Sequence, residues 1–264
     1  MPAPIPDTAM TTDGLYRLLA WSSPAFPTGA YSYSHGLEAA AAGGAVRDRA
    51  TLEAWVRATI VHGSGRIDAD ILRDSWRAAA AGNDAAFAEA NQRGCAYRAT
   101  AELALESAQQ GAAFLAAYDA AWAAPHPNPL PASGASGELA ITPGPACGER
   151  EGPAPNVWEG EGQPLGDCHA AALGAAAVRA GIGLSDALTA YLSAFGTNLM
   201  SAGLRLGIVG QSDGQRILAA LEPEVAAAVA ACLRRAAEDF GAATFALDLA
   251  SMAHETQYSR LFRS

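Results

Sequence analysis

Four short stretches of the chain, and three combinations of histidine with acids, hold residues whose types and spacing suit them to chemistry. Gly210 to Gly214 reads "GQSDG" and fits the G-x-S-x-G elbow of serine hydrolases, in which a strand-to-helix turn exposes the serine. Asp68, Asp70 and Asp74 in "RIDADILRD" could hold Mg²⁺ for phosphate chemistry, since Asp70 and Asp74 lie one helical turn apart. His35 with Glu38, His254 with Glu255, and His62 with Asp68 and Asp70 each offer part of a metal site. "YSYSHGLE", residues 31 to 38, gathers hydroxyls, an imidazole and a carboxylate. On a 3.6-residue period Tyr31, Ser34, His35 and Glu38 share one face of a helix, and tyrosine there suits a recognition patch. Finally, "HETQYSRLFRS" brings together Tyr258, Arg260, Leu261, Phe262 and Arg263, side-chain types that anchor desolvated interfaces.

Each chemistry has a plainer competitor. The elbow needs a strand before its serine, and the upstream "LRLGIV" reads as a helix end, so Gly210 is expected to end one helix while Ser212 or Asp213 caps the next. No second carboxylate group faces the aspartates, which equally form a solvated helix face with Arg66, Arg73 and Arg77. The histidine pairs each lack a local third ligand, and no metal site is assigned. Tyrosines of the first stretch serve as well to fill core gaps, and the last stretch serves as well to pack a final helix on its own core.

These stretches must be positioned by helices. Alanine-rich segments carry leucines and aromatics at three- and four-residue spacing, while alternating β-branched runs are almost absent. The expectation is an all-α, single-domain bundle of roughly ten helices. The spacing predicts helices over Asp13–Ser22, Ser32–Ala42, Leu52–His62, Ile67–Ala80, Ala85–Arg93, Tyr97–Trp122, Cys168–Ala180, Leu184–Leu206, Gly214–Ala220, Pro223–Phe240 and Thr244–Tyr258. Thr51, Asp84 and Ser185 read as starts, and Pro223 as a first-turn residue. Residues 1–12 read as a flexible tail ahead of a helical domain over 13–264. Pro125 to Gly166 holds nine of the fifteen prolines and too little apolar period to be a helix, which predicts a disordered insert loop.

Composition narrows the function. A net charge of −10 argues against nucleic-acid binding. The chain has no lysine, so all 17 cations are arginines, which excludes a P-loop lysine and a Schiff-base lysine together. Four cysteines without a CxxC pair suggest no disulfide framework or structural zinc. No signal peptide or membrane span is read, and the protein is expected in the cytoplasm.

"LLAWSSPAFPTGAYSYSHGLEAA", "ATAELALESAQQGAAFL", "FGTNLMSAGLRLGIVGQSDGQRIL" and "HETQYSRLFRS" together, in that order, resemble the urease accessory protein UreF family. The resemblance implies an all-α, dimeric, non-enzymatic protein without a cofactor. It would bridge UreD (also called UreH) and the GTPase UreG and promote nickel insertion into apo-urease. Carried over by position, Tyr31, Ser32, Ser34, Glu38 and Gln211 belong to a face that meets UreG or the dimer mate. His254, Tyr258, Arg260, Leu261, Phe262 and Arg263, within a tail over 253–264, meet UreD/UreH. A helical Mg²⁺ enzyme, or a hydrolase using Ser212, is the alternative.

Overall fold

The computed structural model describes residues 10–123 and 167–264. The expected insert over 125–166 and residues 1–9 of the expected tail lie outside the described residues. Those described form ten α-helices and two short 3-10 turns, with no strand among them. The helices are α1 (Thr12–Trp21), α2 (Leu37–Ala42), α3 (Arg49–Val61), α4 (Ser64–Ala80), α5 (Asp84–Ala96) and α6 (Ala101–Ala121), followed by α7 (His169–Arg179), α8 (Leu184–Arg205), α9 (Gln211–Arg234) and α10 (Phe245–Glu255). None is long and apolar enough to cross a membrane.

Helix α4 sits at the centre, against α3, α5, α7, α8 and α9. Its most intimate neighbour is α7, "HAAALGAAAVR", whose small side chains let two backbones approach: a Cβ on Gly174 would stand 2.9 Å from the Leu72 carbonyl oxygen. A branched aliphatic side chain would not fit there, and alanine also gives α7 its helix propensity at no rotamer cost. Trp76 of α4 buries its ring and donates its Nε1–H to the Ile182 carbonyl at 3.0 Å. Around this pair the core closes with Leu52, Val56, Ile60, Leu188, Leu192, Leu199 and Ile217, all essentially inaccessible. An aromatic group of Trp21, Phe114 and Tyr118 ties α1 to α6 through edge-on contacts.

Several boundaries differ from the expected ones, for local reasons. Asp48, not Thr51, caps α3. Thr51 instead is the third helical residue of a capping box, its hydroxyl accepting the Asp48 N–H while Asp48 accepts the Thr51 N–H. Asn83 caps α5 one residue ahead of Asp84, and α8 begins at Leu184 after Gly183, leaving Ser185 inside its first turn. The two helices expected on either side of Pro223 are one continuous α9. Pro223 lies on its exposed side, and Ala219, whose carbonyl the proline deprives of an N–H partner, is an exposed residue too. The run expected over Ser32–Ala42 is broken: a 3-10 turn spans Ala30–Ser32, Tyr33 is extended, and α2 starts only at Leu37. His35 and Gly36 stand at φ 53° and 74°, left-handed conformations that end any helix, so the shared helical face drawn from Tyr31 to Glu38 does not exist.

The acidic run is not a solvated face. Asp68, Asp70 and Arg73 are buried. Asp70 Oδ1 receives Arg73 at 3.0 Å and Arg235 at 2.6 Å, Asp74 takes Arg73 and Arg93, each at 2.8 Å, and Asp68 pairs with Arg98 at 2.8 Å. These carboxylates fasten α4 to α9 and to the end of α5, because a buried carboxylate is tolerable only when paired.

Candidate functional site

The broken stretch becomes one side of a clamp whose other side is the segment after α10. Backbone shape comes first. The left-handed Gly36 brings the chain directly under α10, where a Cβ would stand 2.6 Å from the Ser251 backbone nitrogen. Asn198 of α8 donates to the Ala30 carbonyl at 2.8 Å and fixes the turn from the other flank. The chain over 263–264 then pairs with the extended residues: the Arg263 N–H donates to the Ser32 carbonyl at 2.8 Å, and the Ser34 N–H to the Ser264 main-chain oxygen at 2.7 Å. The Ser34 hydroxyl donates to that same oxygen.

Charge completes the clamp. Glu38, in the first turn of α2, accepts the Leu261 N–H at 2.7 Å, the Phe262 N–H at 2.9 Å and His254 Nε2 at 3.1 Å. His254 is fully buried and its other nitrogen faces Glu102 Oε2 at 2.7 Å, while Arg260 reaches the second oxygen of Glu102. An imidazole facing a carboxylate at each nitrogen can donate to both only as the cation, the form this arrangement favours. A second layer lies below: Glu106 accepts from His35 Nε2 at 3.0 Å, from Gln110 at 2.8 Å and from the Ser264 hydroxyl at 3.3 Å. Phe262 is buried with the Arg205 guanidinium 4.3 Å above its ring, a cation–π contact that seats the segment against the end of α8.

Protonation energetics follow. Burial disfavours charge on His254, but hydrogen bonds to Glu102 and Glu38 and the attraction of both carboxylates outweigh it, and its pKa stands above the ordinary histidine value. Burial likewise acts to raise Glu38, yet the Leu261 and Phe262 amides and His254 hold it below the usual carboxylate range. The clamp's contribution to stability is thus lost on the acid side as Glu38 protonates below its ordinary pKa. On the alkaline side it is complete below an unfolded histidine pKa of about 6.5 and lost as pH rises through the higher folded value. A His254→Gln chain is expected to be less stable than the parent by a margin that is largest near pH 6 and shrinks toward pH 9. Urea unfolding midpoints at those pH values measure it.

The residues named from sequence fall into two groups. Ser34, Glu38, His254 and Phe262 are buried and turned inward, whereas Tyr31, Gln211, Tyr258, Arg260, Leu261 and Arg263 are exposed, and Ser32 is half-buried. The histidine pairs do not assemble as the spacing suggested. His35 turns to Glu106 rather than Glu38, and Glu255 turns from His254 to accept the Ala101 N–H at the start of α6. "GQSDG" lies on no elbow. Gly207, not Gly210, follows the end of α8 at φ 72°, Gly210 precedes α9, and Ser212 and Asp213 lie within the first turn of α9 rather than capping it.

Reading from sequence missed Glu102, Glu106 and Gln110, spaced by one helical turn along "ATAELALESAQQ", and Arg205. The signal available was a polar stripe of that period in an otherwise apolar helix. It also missed Phe245, Leu249 and Met252, four and three residues apart, which put an exposed apolar face on α10.

Known proteins share much of this sequence. A family model described as UreF matches residues 46–222. The urease accessory protein UreF of Granulibacter bethesdensis is 43% identical over 259 residues, covering 97% of this chain and 97% of that protein. Proteins of the same name from Rhodopseudomonas palustris strain HaA2 and Azorhizobium caulinodans are 40% identical over 255 residues and 41% over 247, covering 95% and 94% of this chain. A model match over more than half of the sequence, with such identity across nearly all of it, makes this chain a member of the UreF family.

Proposed function

We propose that the chain serves urease maturation as a non-enzymatic cytoplasmic adaptor. It bridges a UreD/UreH protein and the GTPase UreG, as a homodimer, and so promotes nickel insertion into apo-urease. Nickel is cargo in this reading. Beside family membership, the observation that carries it is the division of labour within the clamp. The buried acids and histidines are consumed in holding two distant segments together, and what is left outward is Tyr258 and Leu261 on one segment and Tyr31 on the other, with the exposed apolar residues of α10. Aromatic and leucine side chains fixed on a rigid support lose little entropy on docking and make effective anchors. Tyr258, Arg260, Leu261 and Arg263 form the contact set for UreD/UreH. Tyr31, Ser32 and Gln211 belong to the UreG or dimer face, and Ser34, Glu38, His254 and Phe262 set the position of both.

The test is co-purification of the full chain with UreD/UreH and UreG. Tyr258→Asp with Leu261→Asp is expected to weaken UreD/UreH capture by more than ~10-fold while circular dichroism and unfolding midpoint stay those of the parent, because both side chains point to solvent. A parent chain that captures neither protein overturns the adaptor reading. Undiminished capture by the double variant overturns the placement of the contact set.

A further inference from the structure

A cavity of about 150 Å³ lies under the segment that joins α1 to the first 3-10 turn, walled by residues of α6, α7 and α8. Much of its wall is apolar, with the rings of Trp21, Phe26 and Phe195 beside Leu103 and Leu173. The charged side chains that line it are already engaged. Asp68 holds Arg98 at 2.8 Å and accepts the Tyr191 hydroxyl at 3.0 Å, while Glu106, on the side of the clamp, accepts from His35, Gln110 and the Ser264 hydroxyl. Three polar atoms of the lining residues are not engaged: Trp21 Nε1, Ser22 Oγ and His169 Nε2 are buried atoms without a partner among the described residues. Trp21 as a whole is only 3% exposed. Burial carries His169 down to about 4, with Asp68 opposing and Arg98 assisting, so its imidazole is neutral near pH 7.

We propose that this cavity binds a small neutral aromatic molecule carrying a carbonyl or hydroxyl oxygen, of the size of benzamide or phenol, with that oxygen accepting the Trp21 Nε1–H. Volume sets the size, since a core cavity of about 150 Å³ holds a benzene ring. Charge sets the class. A cation would compete with the donors that Glu106 already accepts, and an anion with Asp68 for Arg98, and either would give up its hydration to enter. The unengaged atoms set the polar group. An indole N–H donates only, so the ligand must bring an acceptor, whereas the Ser22 hydroxyl and a neutral imidazole suit a second polar atom such as the N–H₂ of an amide. Water is the weaker occupant, because along the faces of Trp21, Phe26 and Phe195 it lacks the several polar partners that hold a buried water. Pro24 and Tyr31 are the exposed residues of the lining, which places the mouth at the covering segment. The proposal is independent of the adaptor reading.

The experiment titrates the full chain with benzamide, with benzene, and with benzamidinium and benzoate as charged analogues, reading affinity by ligand-observed NMR. Benzamide is expected to bind with a Kd of about 1 mM or tighter, and at least about 10-fold more tightly than either ion. It should also move the indole N–H resonance of Trp21, identified by its loss in Trp21→Phe. That variant keeps a ring but no N–H, and is expected to weaken benzamide by about 10-fold while changing benzene by less than about threefold. Ala194→Leu, which enlarges a side chain of the α8 wall, is expected to abolish binding of both. Should that variant not fold, the contrast between benzamide and benzene in Trp21→Phe still decides the matter. The proposal is overturned if neither benzamide nor benzene binds at millimolar concentration, if benzamide binds without moving the Trp21 resonance, or if benzoate or benzamidinium binds as tightly.

Discussion

Replacing Glu38 by alanine is expected to lower the unfolding free energy by about 3 kcal/mol or more, the cost of stripping the acceptor from the buried His254, the buried Phe262 amide and the part-buried Leu261 amide. The carboxylate receives two consecutive main-chain donors and His254, and no neighbouring acceptor is placed to take over all three. The loss should be focused: amide exchange at Leu261 and Phe262 rises to that of an open segment, while amides of α4 and α8 keep their protection until global unfolding. Glu38→Gln keeps one of the two acceptor oxygens, so it can serve the Leu261 amide or the Phe262 amide but not both, and it loses the charge facing His254; it is expected to lose less than the alanine variant. Urea denaturation with residue-resolved hydrogen exchange measures both. Unchanged exchange at Leu261 and Phe262 in the alanine variant would dispose of the clamp as the element that seats this segment.

Asp70→Ala is the other large effect. Asp70 is inaccessible, and its Oδ1 serves Arg73 and Arg235 across the α4–α9 boundary, with the Cys232 thiol donating at 3.4 Å. Deleting it leaves Arg235 without this partner and Arg73 reliant on the Cys232 carbonyl and Asp74. A destabilisation of about 3 to 5 kcal/mol is expected, or a fall in thermal midpoint of about 10 °C for a chain of this size. The same measurement separates a structural carboxylate from a metal ligand. Removing a carboxylate held beside others for Mg²⁺ would relieve repulsion and raise stability in metal-free buffer; removing an arginine's partner lowers it with or without Mg²⁺.

The helical class and most helix positions were legible because period and composition act locally, and alanine-rich runs such as α7 leave the backbone little choice. Caps were legible only to within a residue or three: Asp48 and Asn83 won over Thr51 and Asp84 because each sits one residue ahead of the first helical turn, where an acceptor can reach back to open amides. The break at His35 was hidden, since a left-handed histidine is held by its tertiary contacts with Glu106 and Ser64 rather than by its neighbours in sequence. Pro223 signalled a helix start that tertiary packing overrode. Resemblance located both arms of the clamp. That they grip one another was not legible, because Glu102 and Glu106, the acids between them, look in sequence like the polar face of any long helix.

The clamp also fixes an order of events in synthesis. Glu38 and Leu261 are 223 positions apart, and Ser34 and Ser264 are 230 apart. At ribosomal rates of about 5 to 20 residues per second, Glu38 waits on the order of ten seconds or more for the partners that satisfy it. Helices α3 to α9 can assemble during that interval from contacts already translated, but Gly36 cannot receive α10, nor Phe262 find Arg205, before residues 245–262 are synthesised. The surface that carries Tyr258 and Leu261 is therefore absent from every product that stops short of these residues.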